Sequence, residues 1–281
     1  MKKYMLCAAS LLCFNLFAAN TLPLGQEFEI DSQLFSPQTG KVQHGSIQTM
    51  MGAQKSFYQK VGDDFVVEGD ILVNPLEGKN STSKGAYRRA HCSRWPKGEI
   101  AYEVDPTLPH PERIETMVAY YRDNTKIRLV PRSNQKDYVY FKNNGNNGCS
   151  SFVGRAGGKQ NINVPDWCGS GSLVHEVMHA LGFYHEQSRP DRRKSIKVKW
   201  FNIQLKQWGN FFVSPFAKTK GTFDFDSIML YPSFNSFAVD PKKPTITRRD
   251  GSTFGAQRRG LSIGDIAALA QAYKDEVESA R

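Results

Sequence analysis

The stretch His-Glu-Val-Met-His-Ala-Leu-Gly-Phe-Tyr-His, residues 175–185, decides how this chain folds. Its first two histidines are four residues apart, so on a helix both side chains project from one face. Gly182 follows the helical run and is where the helix should stop, because glycine adopts positive φ without strain. The chain then turns back, which lets His185 return towards the first two. The spacing predicts a helix, a glycine turn and three converging imidazoles.

Three converging imidazoles predict a metal site. Nitrogen ligands at about 2.0–2.1 Å suit zinc, and three protein ligands leave a fourth position for water, as in catalytic zinc sites. Glu176, beside the first histidine, can reach that water without binding the metal. Two surface histidines on a polar helix face are the alternative, but the residues around them are apolar. We therefore expect His175, His179 and His185 to bind one zinc ion.

The full motif resembles a known family. His-Glu-x-x-His-x-x-Gly-x-x-His is the metzincin signature, and its continuation Glu-Gln-Ser-Arg-Pro-Asp-Arg at residues 186–192 resembles the astacin family specifically. Further stretches similar to that family are residues 94–102, 149–155, 227–231 and 261–266. The matches together extend over residues 95–273, which is nearly the whole of the expected mature protein.

This resemblance implies a fold and an activity. The implied fold is α+β and metzincin-like. It has an N-terminal twisted, mostly mixed sheet with a backing helix and an active-site helix, then an irregular C-terminal subdomain with a final helix. The implied activity is that of a zinc metalloendopeptidase, a hydrolase that cuts peptide bonds in protein or peptide substrates.

The resemblance also assigns roles to individual side chains. Glu176 is the general base and later the proton donor. Met229 lies in the Met-turn as a hydrophobic floor beneath the zinc, which is compatible with an ordinary core methionine. Tyr231 is a fifth zinc ligand at rest that swings to stabilise the oxyanion, whereas the alternative is a buried tyrosine with a satisfied hydroxyl.

The first residues have the pattern of an export signal. A basic start at Lys2 and Lys3 is followed by an apolar run that is too short to span a membrane, and Ala18 and Ala19 end it. A buried core helix is the alternative. We expect residues 1–19 to be a signal peptide of a secreted or periplasmic protein, and the rest of the sequence has no apolar run of membrane-spanning length.

Residues 20–85 are expected to be a propeptide. Their first part is polar, with only short apolar patches, so this segment should lean on the rest of the protein. Val67-Glu68-Gly69-Asp70 resembles the family's propeptide motif, with Val67 where a phenylalanine is usual. The resemblance implies that Asp70 binds the zinc and keeps the enzyme latent. An everyday Gly-Asp turn is the alternative.

Activation should require an external protease. The resemblance places the cut between Lys84 and Arg89, with a mature start near Ala86, and the Arg88-Arg89 pair offers another cut. Residues 86–281 would then form one catalytic domain. In the family the new N-terminal ammonium approaches the glutamate after the third histidine, which is Glu186 here.

Apolar periodicity predicts further elements. Alternation over residues 99–104 indicates a strand, and residues 111–125 have the spacing of an amphipathic helix. A second helix is predicted at residues 172–181, capped by Ser170 or Ser172, and a last one at residues 262–273 with a near capping box. Short strands are also predicted at residues 127–130, 138–141 and 160–164.

Five cysteines become three after signal removal, so one pair and one spare thiol are expected. By the family resemblance, Cys149 and Cys168 form a disulfide. The family's second bridge needs a cysteine after the final helix, and residues 274–281 contain none. This leaves Cys92 as the odd thiol.

The stretch after Cys149 should be the edge strand with which an extended substrate pairs, through backbone groups of Ser150 and Phe152. The family often prefers an acidic side chain just after the cut bond. Arg258 is the predicted reader of that side chain and Lys206 the second candidate, although both could be ordinary surface charges.

Charge leaves two other classes of function to weigh. With 37 Lys+Arg against 27 Asp+Glu the chain carries +10, and basic clusters at residues 192–199 and 242–249 are compatible with nucleic-acid binding. These clusters lack the interleaved aromatics of base-stacking surfaces, so no nucleic-acid partner is expected. A catalytically silent binding protein is disfavoured because every catalytic position is filled.

Overall fold

The computed structural model describes residues 42–49, 52–75, 94–145, 147–214 and 217–278. The expected signal peptide, the expected activation cut and Cys92 lie outside these residues. Within them, no helix has the length and apolarity needed to cross a membrane.

A mixed β-sheet forms the upper layer of the molecule. Its nine strands among the described residues are β1 Val42–Thr49, β2 Gly52–Val61, β3 Asp64–Val67, β4 Ile71–Pro75, β5 Glu99–Val104, β6 Arg128–Pro131, β7 Tyr138–Lys142, β8 Ser150–Phe152 and β9 Lys159–Asn163. They lie in the order β1-β2-β3-β4-β8-β9-β7-β5-β6. β5, β6, β7 and β9 pair in parallel, and β8 runs antiparallel to β9. The predicted mixed sheet and the strands predicted near β5, β6, β7 and β9 are confirmed.

Two long helices back this sheet. α1 spans Glu112–Asn124 and α2 spans Ser170–Ala180. Ile114 and Met117 of α1 and Leu173 of α2 are fully buried in one core with Ile100 and Phe141 of the sheet. Packing of apolar faces from both helices against the strands fixes α2 at a single place under the sheet.

The predicted caps of α2 are wrong. Ser170 and Ser172 both lie inside the helix, and Gly169 occupies the N-cap position without a side-chain cap. The reason is tertiary. Arg113 donates to the carbonyls of Pro165, Asp166 and Cys168, at 3.0, 2.6 and 2.7 Å, so the chain is already held where the helix begins. A disulfide between Cys149 and Cys168, as predicted, ties the same point to β8.

The N-terminal segment (described residues 42–49 and 52–75) forms four antiparallel strands that continue the sheet. The sequence pattern indicated an extended, leaning segment but not these strands. Its small core, which includes Tyr58 and Ile71, packs against Val153 and Tyr184 of the following domain. The segment therefore does lean on the rest of the protein, since its core is completed there.

The C-terminal part is largely irregular. Its regular elements among the described residues are the ribbon of β10 (Ile196–Val198) with β11 (Ile246–Arg248), several short 3-10 helices, and helices α3 (Ile263–Ala272) and α4 (Lys274–Glu278). The capping box predicted at the last long helix is confirmed, with Ser262 and Asp265 bonded reciprocally. Asp265 also accepts from Ser227 Oγ at 2.7 Å and Ile228 N at 2.8 Å. The cap thus anchors the turn at residues 227–231.

Candidate metal centre

Three imidazole rings converge beneath the sheet. His175 and His179 lie one turn apart on α2, with ring centroids 4.7 Å apart. Gly182, at φ 101°, ends this helical run and donates to the carbonyl of His179 at 2.8 Å. The turn brings the ring of His185 to 4.7 Å from His179 and 5.3 Å from His175. The predicted helix, glycine turn and convergence are all present.

Nδ1 of each ring faces a hydrogen-bond acceptor, and this contact fixes the direction in which Nε2 points. Nδ1 of His175 lies 2.9 Å from the carbonyl oxygen of Ile228, and Nδ1 of His179 lies 2.8 Å from that of Phe183. Nδ1 of His185 lies 3.1 Å from Oε2 of Glu68. Since a proton on Nδ1 satisfies these acceptors, the Nε2 lone pairs are directed at a common centre, as metal-ligating histidines require.

Asp70 supplies a fourth donor to this centre. Its carboxylate oxygens lie 3.3 Å from Nε2 of His175, 3.5 Å from that of His179 and 3.2 Å from that of His185. All four residues are buried, and one ligand atom from each lies within 4.8 Å of the others. The residue that the propeptide motif singled out thus lies against all three histidines.

The donor set fits a metal cation. Among the described residues, Asp70 Oδ1 and His179 Nε2 are buried without a hydrogen-bond partner, although a buried polar atom normally has one. Burial would lower the pKa of His185, but the carboxylates of Asp70 and Glu68 raise it to about 9. These carboxylates favour positive charge at His185, whereas burial lowers the pKa of His175 and of His179. Nitrogen and carboxylate ligands in a group of four suit zinc, and one ion fills the site.

Glu176 lies next to the centre without joining it. The residue is 2% exposed, and its Oε2 has no hydrogen-bond partner within the described part of the chain. Burial, and then the negative charge of Asp70, raise the pKa of Glu176 well above its usual value. A carboxylate with one unused oxygen beside the ligands has the position expected of a proton acceptor.

The turn at residues 227–231 closes the site from below. Its Met229 is 2% exposed and its carbonyl accepts from the backbone N–H of Glu186 at 2.9 Å. The ring of Tyr231 lies 4.7 Å from that of His185, and its hydroxyl donates to the backbone carbonyl of Glu68. Burial raises the pKa of Tyr231 well above its usual value, so this hydroxyl remains a donor.

Glu68 is a site residue that the sequence reasoning missed. Its Oε2 accepts from Ser188 Oγ at 2.8 Å as well as facing His185. Glu68 and Gly69 both have positive φ, 47° and 83°, which turns the chain tightly. Two carboxylates on either side of one glycine, at Glu68 and Asp70, were the available signal. A glutamate at positive φ is uncommon and indicates a conformation held by its contacts.

The strand predicted to receive the substrate is β8, and its edge is covered by β4. The two strands pair in parallel, and the backbone N–H of Ser151 donates to the carbonyl of Asp70 at 2.9 Å. Ser150 pairs instead with Asn163 of β9, and its Oγ accepts from the Asn163 amide at 2.9 Å. Phe152 stands opposite Leu72 in the register. The amide that faces β4 is thus that of Ser151, between the two residues predicted.

The remaining predicted residues lie at different depths. Arg258 is 8% exposed, and its Nη1 donates to the carbonyls of Ile228 and Gln257 at 2.8 and 2.9 Å. Burial, and then the positive charge of Arg258, lower the pKa of His175 well below its usual value. Lys206, by contrast, is exposed on a short 3-10 helix.

Glu186 lines a cavity of about 420 Å³ between the zinc-ligand loop and α3. Its Oε1 accepts from the N–H of Asp224 at 2.8 Å and lies 3.1 Å from Nη1 of Arg189. Burial raises the pKa of Glu186 to about 7. The carboxylate thus sits in a space large enough to admit a further chain end.

Three comparisons show which known proteins the chain is similar to. Residues 88–274 match the family model described as Astacin, a family of peptidases. The chain is 32% identical over 228 residues to zinc metalloproteinase nas-4 of Caenorhabditis elegans, which covers 76% of this chain and 72% of that protein. It is 35% identical over 193 residues to flavastacin of Elizabethkingia meningoseptica, covering 64% of this chain and 42% of flavastacin.

A solved structure shows the same fold. High choriolytic enzyme 1, a hatching enzyme zinc-protease of the medaka Oryzias latipes, superposes with a TM-score of 0.60 at 30% identity. The superposition covers 65% of this chain and 93% of that one. The matches to zinc metalloproteinases nas-14 and nas-15 of C. elegans cover 37% and 40% of the length of those proteins. The chain therefore spans less than half the length of these two relatives.

Proposed function

The chain belongs to the astacin family of zinc metalloendopeptidases, and from this premise we propose that it hydrolyses internal peptide bonds of protein substrates at the centre formed by His175, His179 and His185. One observation carries the proposal. Three Nε2 atoms face one point, each fixed through its Nδ1, and Glu176, the residue after His175 on α2, has a buried carboxylate oxygen without a hydrogen-bond partner among the described residues.

The chemistry divides between the metal and the side chains. Zinc bound at this centre supplies Lewis acidity, which polarises the scissile carbonyl and lowers the pKa of water towards about 7. Glu176 takes the proton of the attacking water and passes it to the leaving amine. The hydroxyl of Tyr231 donates to the carbonyl oxygen as negative charge develops on it. Met229, packed below, keeps the histidine side of the site rigid.

In the full chain we propose that the site is latent. Asp70 occupies the position that the attacking water needs, with its oxygens 3.2–3.5 Å from the three Nε2 atoms. The carbonyl of Glu68 engages the hydroxyl of Tyr231. β4 covers the edge of β8 along which a substrate would pair. Residues 20–85 act as the propeptide in this proposal, and one segment blocks water, oxyanion donor and substrate edge together.

Activation follows a cut between Lys84 and Arg89, which leaves residues 86–281 as the catalytic domain. The new N-terminal ammonium then enters the cavity of about 420 Å³ and approaches Glu186. Burial raises the pKa of this carboxylate to about 7 although Arg189 lies 3.1 Å away, which supports the assignment, because a further cation would offset the cost of its burial.

Export is the proposed route of this protein. Residues 1–19 are assigned as the signal peptide, and the proposed location is outside the cytoplasm, secreted or periplasmic. The disulfide between Cys149 and Cys168 supports an oxidising compartment.

We assign substrate binding to the β8 edge and to Arg258. An extended peptide replaces β4 and pairs with residues 150–152, through the Ser151 amide as well as the Ser150 and Phe152 region. The positive charge of Arg258 beside the centre supports a preference for an acidic residue after the cut bond, with Lys206 as the second candidate.

The test is cleavage of a peptide library and casein before and after limited proteolysis near Ala86. Activity should appear only after processing, should be abolished by a chelator and should be absent in Glu176→Ala. Processed protein that holds zinc but cuts neither substrate would favour the silent binding protein instead. Strongly salt-dependent DNA binding would favour the nucleic-acid binder.

A further inference from the structure

The positive charge of the chain is concentrated in one stretch of its C-terminal part. Residues 192–223 contain eight Lys or Arg and no Asp or Glu, so this stretch alone carries +8, whereas the whole chain carries +10. Charges of one sign that are gathered on one part of a surface attract a partner of the opposite sign. The stretch therefore indicates an anionic partner if its cations lie together.

The fold brings four cations around one cavity. The cavity has a volume of about 270 Å³, and its polar and aromatic lining consists of Arg192, Arg193, Lys197, Trp200 and Arg249. Arg249 reaches the others because β11 pairs antiparallel with β10, and its backbone N–H donates to the carbonyl of Ser195 at 3.1 Å. Arg193, Lys197 and Arg249 are exposed. This basic cavity has the charge and the donors to receive a phosphate group.

The carboxylates next to these cations along the chain have other partners. Asp191 pairs with Arg189 at 2.9 Å. Asp250 accepts from the backbone N–H and the Oγ of Ser252 at 2.8 and 2.7 Å. Neither carboxylate is paired with a cation of the basic cavity, whose charge therefore faces solvent.

Apolar side chains project into solvent beside the basic cavity. Phe201, which follows Trp200, is fully exposed, and Leu205 is 76% exposed. Val239 is 62% exposed, and its N–H donates to the carbonyl of Asn202 at 2.9 Å, so it adjoins the same turn. We call Phe201, Leu205 and Val239 the apolar projection. Single exposed apolar residues are ordinary, but several together next to a charged cavity indicate an interaction surface.

The apolar projection has a packed base. The ring of Trp200 lies 5.5 Å from that of Trp208 and 5.9 Å from that of Phe212. The indole N–H of Trp208 donates to the carbonyl of Ile203 at 3.1 Å, and the Asn202 amide donates to the carbonyl of residue 243 at 2.8 Å. Because the backbone of the projection is held in this way, ordering it on binding costs little entropy.

The combination favours a lipid surface over a charged polymer. Nucleic acid would use the cations and stack its bases on aromatic rings, but it gives no role to exposed Leu205 and Val239. Surfaces that combine Lys and Arg with Phe, Leu and Trp bind at the interface of anionic membranes, where cations meet headgroups and apolar side chains enter the acyl boundary. Both halves of the observed surface then have a partner.

We propose that the basic cavity and the apolar projection form a surface that binds anionic lipid membranes, with lipid phosphates at the cavity and the projection in the acyl boundary. Attachment is peripheral and reversible. The inference concerns a surface formed by residues 193–205, 239 and 249 and does not depend on the proposed peptidase function.

The first test is cosedimentation of the full chain with vesicles of phosphatidylcholine, with or without phosphatidylglycerol. Wild type should bind the anionic vesicles about tenfold tighter than the neutral ones, since each cation near an anionic surface contributes. Phe201→Ser should weaken binding to the anionic vesicles by about tenfold, because a buried phenyl group is lost from the membrane. Ile263→Ser, at an 89% exposed residue of α3, is the matched control and should leave binding unchanged.

The second test reverses charge. The double variant Lys197→Glu with Arg249→Glu should lose the preference for anionic vesicles, because two cations of the basic cavity become anions. Lys126→Glu, at an exposed residue after α1, adds one carboxylate elsewhere and should keep the preference. All substituted side chains are exposed, and circular dichroism should show that each variant is folded. Binding to duplex DNA is measured with the same variants.

The outcomes decide between partners. Equal binding of wild type to neutral and anionic vesicles, or no binding to either, would overturn the inference. It would also be overturned if Phe201→Ser bound anionic vesicles as tightly as wild type. Tight DNA binding that is lost in the charge-reversed variant but kept in Phe201→Ser, without vesicle binding, would assign the cavity to nucleic acid instead.

Discussion

Each histidine of the centre is oriented by the acceptor of its outward nitrogen, and those acceptors have different origins. For His175 and His179 they are backbone carbonyls of the catalytic domain, whereas for His185 it is Glu68 of the N-terminal segment. Removal of the N-terminal segment, as proposed, would therefore take away the Nδ1 partner of His185 and leave the Nδ1 partners of the other two histidines in place. At the scale of residues, His185 thus joins the metal centre to the N-terminal segment, whose proposed role is latency.

Glu176→Ala should remove activity without removing the metal. The side chain is the proposed base, and general acid–base catalysis contributes about 10²–10⁴-fold, so we expect a loss of about 10³-fold in kcat. Zinc content should stay at one ion per chain because Glu176 is not among the clustered ligand atoms. Peptide hydrolysis and metal analysis of the activated variant check this. A variant that retains wild-type kcat would show that another group takes the proton.

Tyr231→Phe isolates one hydroxyl. Since that hydroxyl is assigned to the developing oxyanion, its loss should lower kcat by about 10²-fold with little change in KM. The ring contacts with Phe211 and Phe237, at centroid distances of 6.0 and 5.8 Å, should keep the core packed. Steady-state kinetics with one peptide measure both parameters. A rise in KM with unchanged kcat would assign the hydroxyl to substrate binding only.

Sequence spacing was sufficient to predict that the three histidines converge, because a helix and one glycine turn connect them locally. It was insufficient to predict the contacts of Glu68, whose partners His185 and Ser188 lie 117 and 120 positions away along the chain. Only the docked segment brings these groups together. Arg258 was likewise found by resemblance, but its burial against the carbonyl of Ile228 could not be read from the chain.

At the scale of elements, the end of α2 depends on backbone conformation. Gly182 has φ 101°, and a Cβ placed there would approach only the Cα of Gly154, at 4.0 Å. Gly182→Ala should therefore cost about 1–2 kcal/mol of unfolding free energy through backbone strain. His185 follows that turn, so zinc should also be lost more readily to a chelator.

The control for this prediction is Gly255→Ala. No heavy atom lies within 4 Å of a Cβ placed at Gly255, and its φ is outside the positive region. That variant should change the unfolding free energy by less than about 0.5 kcal/mol. Urea unfolding of the full chain compares the two. If Gly182→Ala and Gly255→Ala are equally stable, the positive φ of Gly182 is not what holds the turn before His185.

Periodicity recovered the elements whose apolar faces are built within one segment, such as α1 and the strands β5 and β7. It missed the strands of the N-terminal segment because their core is completed by Val153 and Tyr184, which lie far along the chain. It also misplaced the cap of α2, which begins at Gly169 without a side-chain cap, in a loop whose position Arg113 fixes by donating to its carbonyls. Tertiary contacts override local signals in both cases.

At the scale of the whole molecule, acidic side chains of the N-terminal segment anchor it to the catalytic domain. Asp64 meets Asn163 at 2.9 Å and Lys142 at 3.9 Å, Glu68 meets Ser188, and Asp70 meets the histidines. The three carboxylates are spread along one segment, so the segment is held to the rest of the protein at several points. Of these, the anchor at the metal should govern activity most directly.

Asp70→Ala in the unprocessed chain should therefore release activity. Without the carboxylate the water position is open, although β4 still covers the substrate edge, so we expect about tenfold more hydrolysis of a short peptide than in unprocessed wild type. Asp63→Ala, at an exposed turn of the same segment, should change nothing. Gel electrophoresis should show that the chain remains uncut during the assay. If the Asp70→Ala chain is folded and holds zinc but is no more active than unprocessed wild type, Asp70 is not what keeps the full chain inactive.

Glu186 couples processing to the stability of the whole domain. Before the cut its carboxylate is buried at the cavity with an elevated pKa, and after the cut the proposed ammonium neutralises it. Glu186→Gln should destabilise both forms, because the carboxylate already pairs with Arg189 in the full chain, and the activated enzyme by about 3 kcal/mol more, because there the proposed ammonium also loses its partner. Glu103→Gln, which breaks an exposed pair with Arg132, should cost under about 1 kcal/mol in both forms. Urea unfolding before and after processing gives the change in unfolding free energy of each variant, relative to wild type, in both forms. Equal losses for Glu186→Gln in the two forms would mean that no ammonium reaches this carboxylate.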